Sequence, residues 1–397
     1  MHIVHTFGHL LGGTLLVAGT SIGVGMLALP VATSGSGFIP SLFVYLICWL
    51  FMLGTGLLIL EACIWMPKGA NLITLSSRLL GRWGQVVCWI LYLFLFSCLM
   101  IAHIAGGGDV VADLSRGTLP LWLGTIIYVL LFAPIVFLGA LWVDRFNLIL
   151  MAGIVITYIF FVSSSVSYVN PTLLMRMDWG KMWWALPIVF TAFGFQSLIP
   201  TLFNYMNRNV NKVRLALILG TIIPLVIYVI WEFLILGIVP YTGEGGLLQA
   251  LKEGQSAVNP LGNYIRNPTL LTVGRTFAFF AMTTSFLGIS IAFMDFLLDG
   301  FKLTRKKRSK LLVSSIIFLI PLIITLVNPH LFLSALSIAG GIGVALLLGA
   351  MPVLMIWAGR YYEGHSLMHQ QLPGGKITLG IMLVFIVFEL SITLMQL

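Results

Sequence analysis

Apolar runs of 17 or more residues follow one another along almost the whole chain, at about 8–33, 37–66, 83–107, 120–141, 146–169, 183–206, 213–240, 270–299, 311–327, 331–358 and 376–396. Each is long enough to cross roughly 30 Å of hydrocarbon as a helix, and about twice the length that a barrel strand needs. Hydrocarbon offers the backbone no hydrogen-bond partner, so each run must pair its amides within itself. The expected fold is all-α and integral to the membrane, with eleven transmembrane helices. Composition agrees, because 8% charged residues in a chain of 397 leave too few charges to cover a soluble surface of that size. The first run begins near Phe7 and has no small-residue cleavage site behind a short apolar core, so no removable signal peptide is expected.

Two of these runs interrupt themselves. The first carries Gly19-Thr20-Ser21-Ile22-Gly23-Val24-Gly25, and the sixth carries Phe190-Thr191-Ala192-Phe193-Gly194-Phe195-Gln196. Glycine is the poorest helix former after proline, and an unpaired backbone group in hydrocarbon costs several kcal/mol, roughly, so unwound chain there must face protein or a cavity. Paired interruptions in two halves of a membrane protein point to a midplane binding site of a secondary transporter. A half-helix restarting near Val24 presents free amides and the positive end of its dipole, which suits a carboxylate. The carbonyls ending the first half, near Gly19 to Ser21, suit an ammonium or a small cation. Gly19 and Gly23 are also spaced by four, as in a glycine seam for close helix packing. Around the second interruption, Phe190, Phe193, Phe195 and the Gln196 amide offer ring surface and one polar group to an aromatic or large apolar side chain, or pack as core.

The net charge of +9 raises the question of a nucleic-acid partner, but the basic residues follow the loops. Counted on alternate loops, 15 of the 21 lie on one side: Lys68, Arg78, Arg82, Arg145, Arg208, Lys212, Arg214, Lys302, Arg305, Lys306, Lys307, Arg308, Lys310, Arg360 and Lys376. Arg116, Arg176, Lys181, Lys252, Arg266 and Arg275 lie on the other. The positive-inside rule then makes the amino terminus cytoplasmic, and eleven spans put the carboxyl terminus outside. The lipid bilayer is the expected partner, and nucleic acid is not. Two repeats made of spans 1–5 (about 8–169) and 6–10 (about 183–358) would each hold an odd number of spans, which inverts the second, with the span at about 376–396 added outside. No linker divides the chain, so a single domain over 1–397 is expected. The longest hydrophilic stretch, about 241–269, carries Leu247-Leu248-Gln249-Ala250-Leu251 and reads either as a lid or as a surface connector.

Polar groups inside spans are costly and so are candidates for function. Thr283, Thr284 and Ser285 form an oxygen cation site or back-bond within their helix. Glu61, Asp295, Asp299, Glu232 and Glu389 lie toward helix ends, where gate ion pairs or snorkelling are expected rather than a midplane proton relay. His103 titrates, bonds a substrate group, or is structural. Gly106-Gly107-Gly108 reads as the turn leaving the third span. Cys48, Cys63, Cys88 and Cys98 read as small apolar packing residues. With no nucleophile elbow, metal cluster or phosphate loop, neither an enzyme nor a cofactor is expected. A passive channel would need a continuous polar stripe through several spans, which the chain lacks.

The stretch Val17 to Pro30, the stretch Phe190 to Pro200 and Thr284-Ser285-Phe286-Leu287-Gly288 resemble the hydroxy and aromatic amino acid permeases, and most of all the tyrosine-specific transport proteins of bacteria. The likeness extends to the Asp295 and Asp299 pattern and runs from the first span to the last. It implies the LeuT-like fold of the amino acid/polyamine/organocation superfamily, a five-plus-five inverted repeat with helices 1 and 6 broken. It also implies proton-coupled uptake of an aromatic L-amino acid, tyrosine first, with tryptophan or phenylalanine as alternatives, across a bacterial inner membrane. By this resemblance Ser21, Val24 and Gly25 bind the substrate carboxylate and its neighbours, and Gly19, Thr20 and Gly23 in the same interruption are further candidate substrate contacts. By the same resemblance Phe190, Thr191 and Phe193 take the ammonium through carbonyls and the ring through packing, and Gly194, Phe195, Gln196 and His103 are further candidate substrate contacts read from the residues. Gly19, Ile22, Ala281, Thr284 and Ser285 match the place where sodium-coupled relatives hold sodium. Gln196 stands where many members carry His, and no lysine occurs in the fifth span, so Asp295, His103 or another group must titrate, or sodium drives transport. Gln196, His103 and Ser97 are candidate partners for a tyrosine hydroxyl.

Overall fold

The structure is a computed structural model that describes residues 2–115, 118–304, 306–365 and 370–397, with side chains from residue 10 onward. Arg116 and Arg305, two of the loop charges counted above, lie outside the described residues. The helices are α1 (His2–Ser21), α2 (Val24–Thr33), α3 (Phe38–Trp65), α4 (Leu72–Leu114), α5 (Leu121–Leu138), α6 (Ala140–Ser165), α7 (Pro171–Leu174), α8 (Leu186–Ala192) and α9 (Ile199–Tyr205). They continue as α10 (Val210–Ile238), α11 (Leu247–Lys252), α12 (Leu261–Tyr264), α13 (Pro268–Gly300), α14 (Lys307–Val327), α15 (Phe332–Ile338), α16 (Met351–Tyr361) and α17 (Gly375–Gln396). Ten helical stretches have the length and apolarity of a membrane span, and α1 with α2, bent by 52°, make an eleventh. The broken spans α1–α2 and α8–α9 each lead five spans, and α17 stands after them. This is the expected LeuT-like inverted repeat.

Both interruptions are narrower than the sequence suggests. Helix α1 continues through Gly19, Thr20 and Ser21, since Ile22 N–H still donates to Ala18 O at 3.0 Å, and only Ile22 and Gly23 are unwound. Helix α8 likewise persists through Ala192, leaving Phe193 to Phe195 before a short tight turn leads into α9. Glycine weakens a helix without breaking it while the i to i−4 bonds survive.

The third span departs from expectation at both ends. Helix α4 begins at Leu72 and covers 43 residues, roughly 65 Å at 1.5 Å per residue and twice the hydrocarbon thickness. Gly81, at φ 71° and ψ −165°, kinks it and separates a short Lys/Arg-end helix from the span. At its far end Gly106, Gly107 and Gly108 are helical and buried rather than a turn. A Cβ on Gly107 would stand 2.3 Å from the Tyr128 ring and one on Gly108 2.2 Å from Thr125, so these glycines bring α5 against α4. Span ten is also irregular, since residues 339–350 between α15 and α16 form a wide π-helical stretch. There Gly340 lies on the backbone of Pro187, at the start of α8, where a Cβ would meet Pro187 O at 1.7 Å.

The hydrophilic stretch after α10 folds down as a fixed cap. Ala257 N–H donates to Leu27 O of α2 at 2.9 Å, and Leu247, Ala250, Val258 and Leu261 are buried. At the same end Arg176 donates to Ser34 O and Gly35 O at 2.6 and 2.7 Å and stacks on Tyr241. Asp178 N–H donates to Ser36 O at 2.8 Å. Its carboxyl is held below the usual carboxylate range by the hydrogen bond from Lys181. At the opposite, Lys/Arg-rich end, Glu61 of α3 and Arg360 of α16 form a buried bidentate pair at 2.7 Å and 2.7 Å, the kind of end-of-helix ion pair expected for Glu61. Gln371 N–H donates to the same carboxylate at 2.8 Å, so the pair closes over a loop as well.

Candidate functional site

The last carbonyls of a helix have no partner inside it, and each broken span leaves such carbonyls at mid-membrane. Ser21 O ends α1 and Ala192 O ends α8. One buried hydroxyl serves both: Tyr228 Oη of α10 lies 2.5 Å from Ser21 O and 2.9 Å from Ala192 O. The two interruptions therefore meet. Gly25 makes the approach closer still, because a Cβ there would stand 2.7 Å from Ala192 Cα and 2.8 Å from Ala192 Cβ. Helices α2 and α8 touch backbone to backbone at this point, which only glycine on one side permits.

Around that contact stand several of the expected residues. Val24 and Gly25 open α2, where amides precede the helical ladder, and Met26 N–H turns back to Gly23 O at 3.1 Å. Ser21 Oγ is buried with no protein partner. Phe193, in the second interruption, packs edge-on against Tyr228 with ring centroids 5.2 Å apart and against Tyr45 at 6.3 Å. Gly194 is half-buried, next to Thr191 O and Leu348. On the α13 side, Gly23 faces Ser285, whose Oγ would lie 2.7 Å from a Cβ at that glycine. Thr284, beside it, has a buried hydroxyl without a protein partner, as does Thr283. Ala281 is buried one turn away on the same helix.

Other expected residues turn elsewhere. Phe190 stacks on Phe51 of α3 at 5.3 Å and 7°, and packs on Phe385 of α17, so its ring belongs to the core behind α8. Thr191 Oγ1 donates toward Leu336 O of α15 at 2.9 Å. Phe195 packs on Gly56 of α3. Gln196 is fully buried and its amide is committed: Oε1 accepts from Phe195 N–H at 2.9 Å, and Nε2 donates to Thr55 Oγ1 at 3.0 Å and Met52 O at 3.2 Å. It staples the second interruption to α3 and commits both Nε2 protons there. Ser97 Oγ donates to Leu93 O within its own helix at 2.8 Å. Gly19 and Thr20 remain in α1, with Thr20 Oγ1 back-bonded to Val17 O at 2.8 Å. Asp295 lies eleven residues beyond Thr284 on α13, roughly 16 Å along the helix, and so stands apart from the oxygen cluster.

His103 is buried on α4, a helix that packs against α13 and α15. Its Nδ1 is 2.6 Å from Leu99 O, which can only accept, so Nδ1 carries the proton. Nε2 is left as a buried acceptor with no protein partner.

The sequence profile of the tryptophan/tyrosine permease family matches residues 7–393. The chain belongs to that family. Among relatives of this permease is the tryptophan-specific transport protein of Pseudomonas aeruginosa, 30% identical over 95% of this chain and 92% of the relative. The tyrosine-specific transport system 1 of Haemophilus influenzae is 29% identical over 96% of this chain and 95% of its own. The crystal structure of MhsT in complex with L-phenylalanine superposes with a TM-score of 0.68, at 15% identity, over 97% of each chain. The fold and the family agree. The protein is a multi-pass membrane transport protein and not an enzyme.

Three residues of this permease were not singled out for the site by the sequence, or were read differently. Tyr228 is one aromatic among many in an apolar span, and nothing in its neighbours signals that its hydroxyl joins both interruptions. Glu232, one turn further along α10, was expected to pair or to snorkel. Instead it is fully buried, with no ion-pair partner among the described residues, and takes hydrogen bonds from Thr33 of α2 and Tyr45 of α3. Glu389 of α17 is buried too, bonded to Thr393 at 2.9 Å.

Proposed function

We propose that this permease imports an aromatic L-amino acid, tyrosine or tryptophan, by proton symport through alternating access around its two broken spans. The observation that carries the reading is the meeting of the interruptions at Gly25 and Ala192 under the Tyr228 hydroxyl. A zwitterion suits that place: its carboxylate takes the free amides at the start of α2, and its ammonium takes carbonyls around Ser21 and Phe193. Phe193 supplies ring surface for the side chain. His103 Nε2 supplies an acceptor, and both the tyrosine hydroxyl and the tryptophan indole N–H are donors, whereas phenylalanine has none. The names of the relatives, tryptophan-specific and tyrosine-specific, favour the same pair. We place the protein in a bacterial inner membrane with its amino terminus cytoplasmic and its carboxyl terminus periplasmic, the arrangement that puts the Lys/Arg-rich loops inside. One inward positive charge at 100 mV is worth roughly 2.3 kcal/mol, enough to concentrate a zwitterion tens-fold.

A second reading is sodium coupling, favoured by the unpartnered hydroxyl of Thr284, the neighbour in sequence of Ser285, which faces Gly23; in this reading Gly19, Ile22, Ala281 and Ser285 would add oxygens without a carboxylate. Uptake of labelled tyrosine and tryptophan into vesicles, with the other amino acids as competitors and with proton and sodium gradients imposed separately, tests both. Accumulation under a proton gradient alone, with phenylalanine the weaker competitor, is the expected result. Indifference to both gradients removes the symport claim, and dependence on sodium alone selects the second reading.

A further inference from the structure

Glu232 is a carboxyl group buried between three helices, with no ion-pair partner among the described residues. The titratable group that faces it is Tyr45 of α3, α2 contributes Thr33, and Tyr228, one turn away on its own helix, gives its hydroxyl to Ser21 O and Ala192 O. Arg176, the cation at that end of α2, is committed to Ser34 O and Gly35 O. On the neighbouring α6 and α12, Tyr158 and Tyr264 donate their hydroxyls to Ile227 O and Glu244 O, and Asp144 and Arg145 stand at the far end of α6, more than three turns from Tyr158.

Counting protons shows two arrangements of one network. Tyr45 Oη lies 2.7 Å from Glu232 Oε2 and donates to it in either case. Thr33 Oγ1 stands between two acceptors, Leu29 O at 2.8 Å and Glu232 Oε1, and has a single proton to give. With the carboxyl ionised, that proton goes to Glu232 and Leu29 O loses its side-chain donor. With the carboxyl protonated, Glu232 donates to Thr33 and Thr33 donates to Leu29 O, so every member of the chain is satisfied. The same atoms accommodate a proton gained or lost without rearrangement.

The network also lies where a coupling site must lie. Toward the capped end, Ser36 Oγ and Ser41 Oγ are 3.1 Å apart and lead to Glu232, which Ser41 adjoins. Toward the middle, Tyr45 packs on Phe193 of the second interruption, and Tyr228, one turn along α10, holds both interruptions. Thr33 ends α2, the half-helix whose first turn meets α8. A change of charge at Glu232 is thus felt by α2 and by Phe193 together.

We propose that Glu232 binds and releases the proton that accompanies the substrate. This rests on the proton-symport reading above. The step balances simply: a carboxylate takes H⁺ from the outer aqueous phase, becomes a carboxylic acid while the carrier turns, and returns H⁺ and its charge to the inner phase.

The test uses purified full-length protein in phospholipid vesicles and two measurements: exchange of labelled tryptophan or tyrosine without any gradient, and accumulation under an inward proton gradient. For Glu232→Gln the ratio of driven accumulation to exchange is expected to fall about ten-fold or more, while Glu232→Asp, which keeps an acid, holds most of it. Glu389→Gln, which removes the other unpaired buried carboxyl, leaves the ratio in place. A ratio preserved in Glu232→Gln, or lost in Glu389→Gln instead, overturns the assignment. Should Glu232→Gln fail to fold, Tyr45→Phe and Thr33→Val retain the carboxyl and remove one partner each. They are expected to move the midpoint of the pH–uptake profile by about one pH unit, and an unmoved midpoint in both overturns the assignment. Wild-type protein that exchanges substrate yet ignores the proton gradient removes the symport reading, and the role of Glu232 with it.

Discussion

Replacing Tyr228 by Phe removes one oxygen and isolates what the hydroxyl contributes, because the ring keeps its edge-on contact with Phe193 at 5.2 Å. In the wild type that oxygen has a single proton shared between Ser21 O and Ala192 O, at 2.5 and 2.9 Å, in a site with no exposure. Both carbonyls end half-helices and have no next turn to bond them. Loss of the donor leaves buried acceptors unsatisfied, a cost of about 1–3 kcal/mol. At 1.4 kcal/mol per factor of ten, that is roughly a five- to hundred-fold change in the equilibrium that keeps α1 and α8 end to end. The native cysteines report it. Cys48, Cys63 and Cys88 are buried and free whereas Cys98 is only partly buried, so in a Cys98→Ser background a thiol-reactive dye lights up as the bundle opens. Tyr228→Phe should lower the thermal midpoint of dye labelling and reduce tryptophan and tyrosine uptake about ten-fold or more at equal protein in the membrane. A variant with the wild-type midpoint and wild-type uptake would show that the two interruptions do not depend on this hydroxyl, and the argument for a joined site would fail.

Two further outcomes follow from the ends of the bundle. Gly37, between α2 and α3, has φ 85° and a Cβ there would fall 2.0 Å from Arg176 O, so Gly37→Ala should destabilise by about 2 kcal/mol or more, visible in the same dye assay. Wild-type stability in that variant would mean the Arg176 segment is not seated on α2. Glu61→Gln leaves Arg360 buried without its counter-charge and should cost about 3–5 kcal/mol, whereas replacing both by apolar residues of similar size, Glu61→Leu with Arg360→Met, should recover much of the loss. Equal stability of the single and double variants would show that the pair contributes nothing beyond its volume.

The apolar runs alone were enough to count the spans and to place most of their ends within a few residues. Glycine content marked both interrupted spans, since a residue without a side chain is the one feature that reads the same in any surroundings. What the sequence over-read was the extent of the interruptions: Gly19 to Ser21 and Phe190 to Ala192 stay helical because their backbone bonds survive. What it left open was direction. These spans are apolar on nearly every face, so periodicity does not say how each is rotated about its axis. Gln196 and Phe190 were therefore open to either the binding hollow or the core, and in the structure one staples the break to α3 and the other stacks behind α8. The run Gly106-Gly107-Gly108 looked like a turn and is a helix packed on α5.

The sequence by itself determined that this chain crosses a membrane many times as helices, where two of those helices weaken, and which loops carry the positive charge. Each of these depends on a local property: length, the missing Cβ of glycine, charge between spans. Only the tertiary structure decided that Tyr228 joins the two weakened helices, that Glu232 is sealed with Thr33 and Tyr45 rather than paired, and that His103 keeps one free nitrogen. Those facts depend on which side chains from distant helices reach one another, and that is set by the rotation and close packing of whole helices in contact.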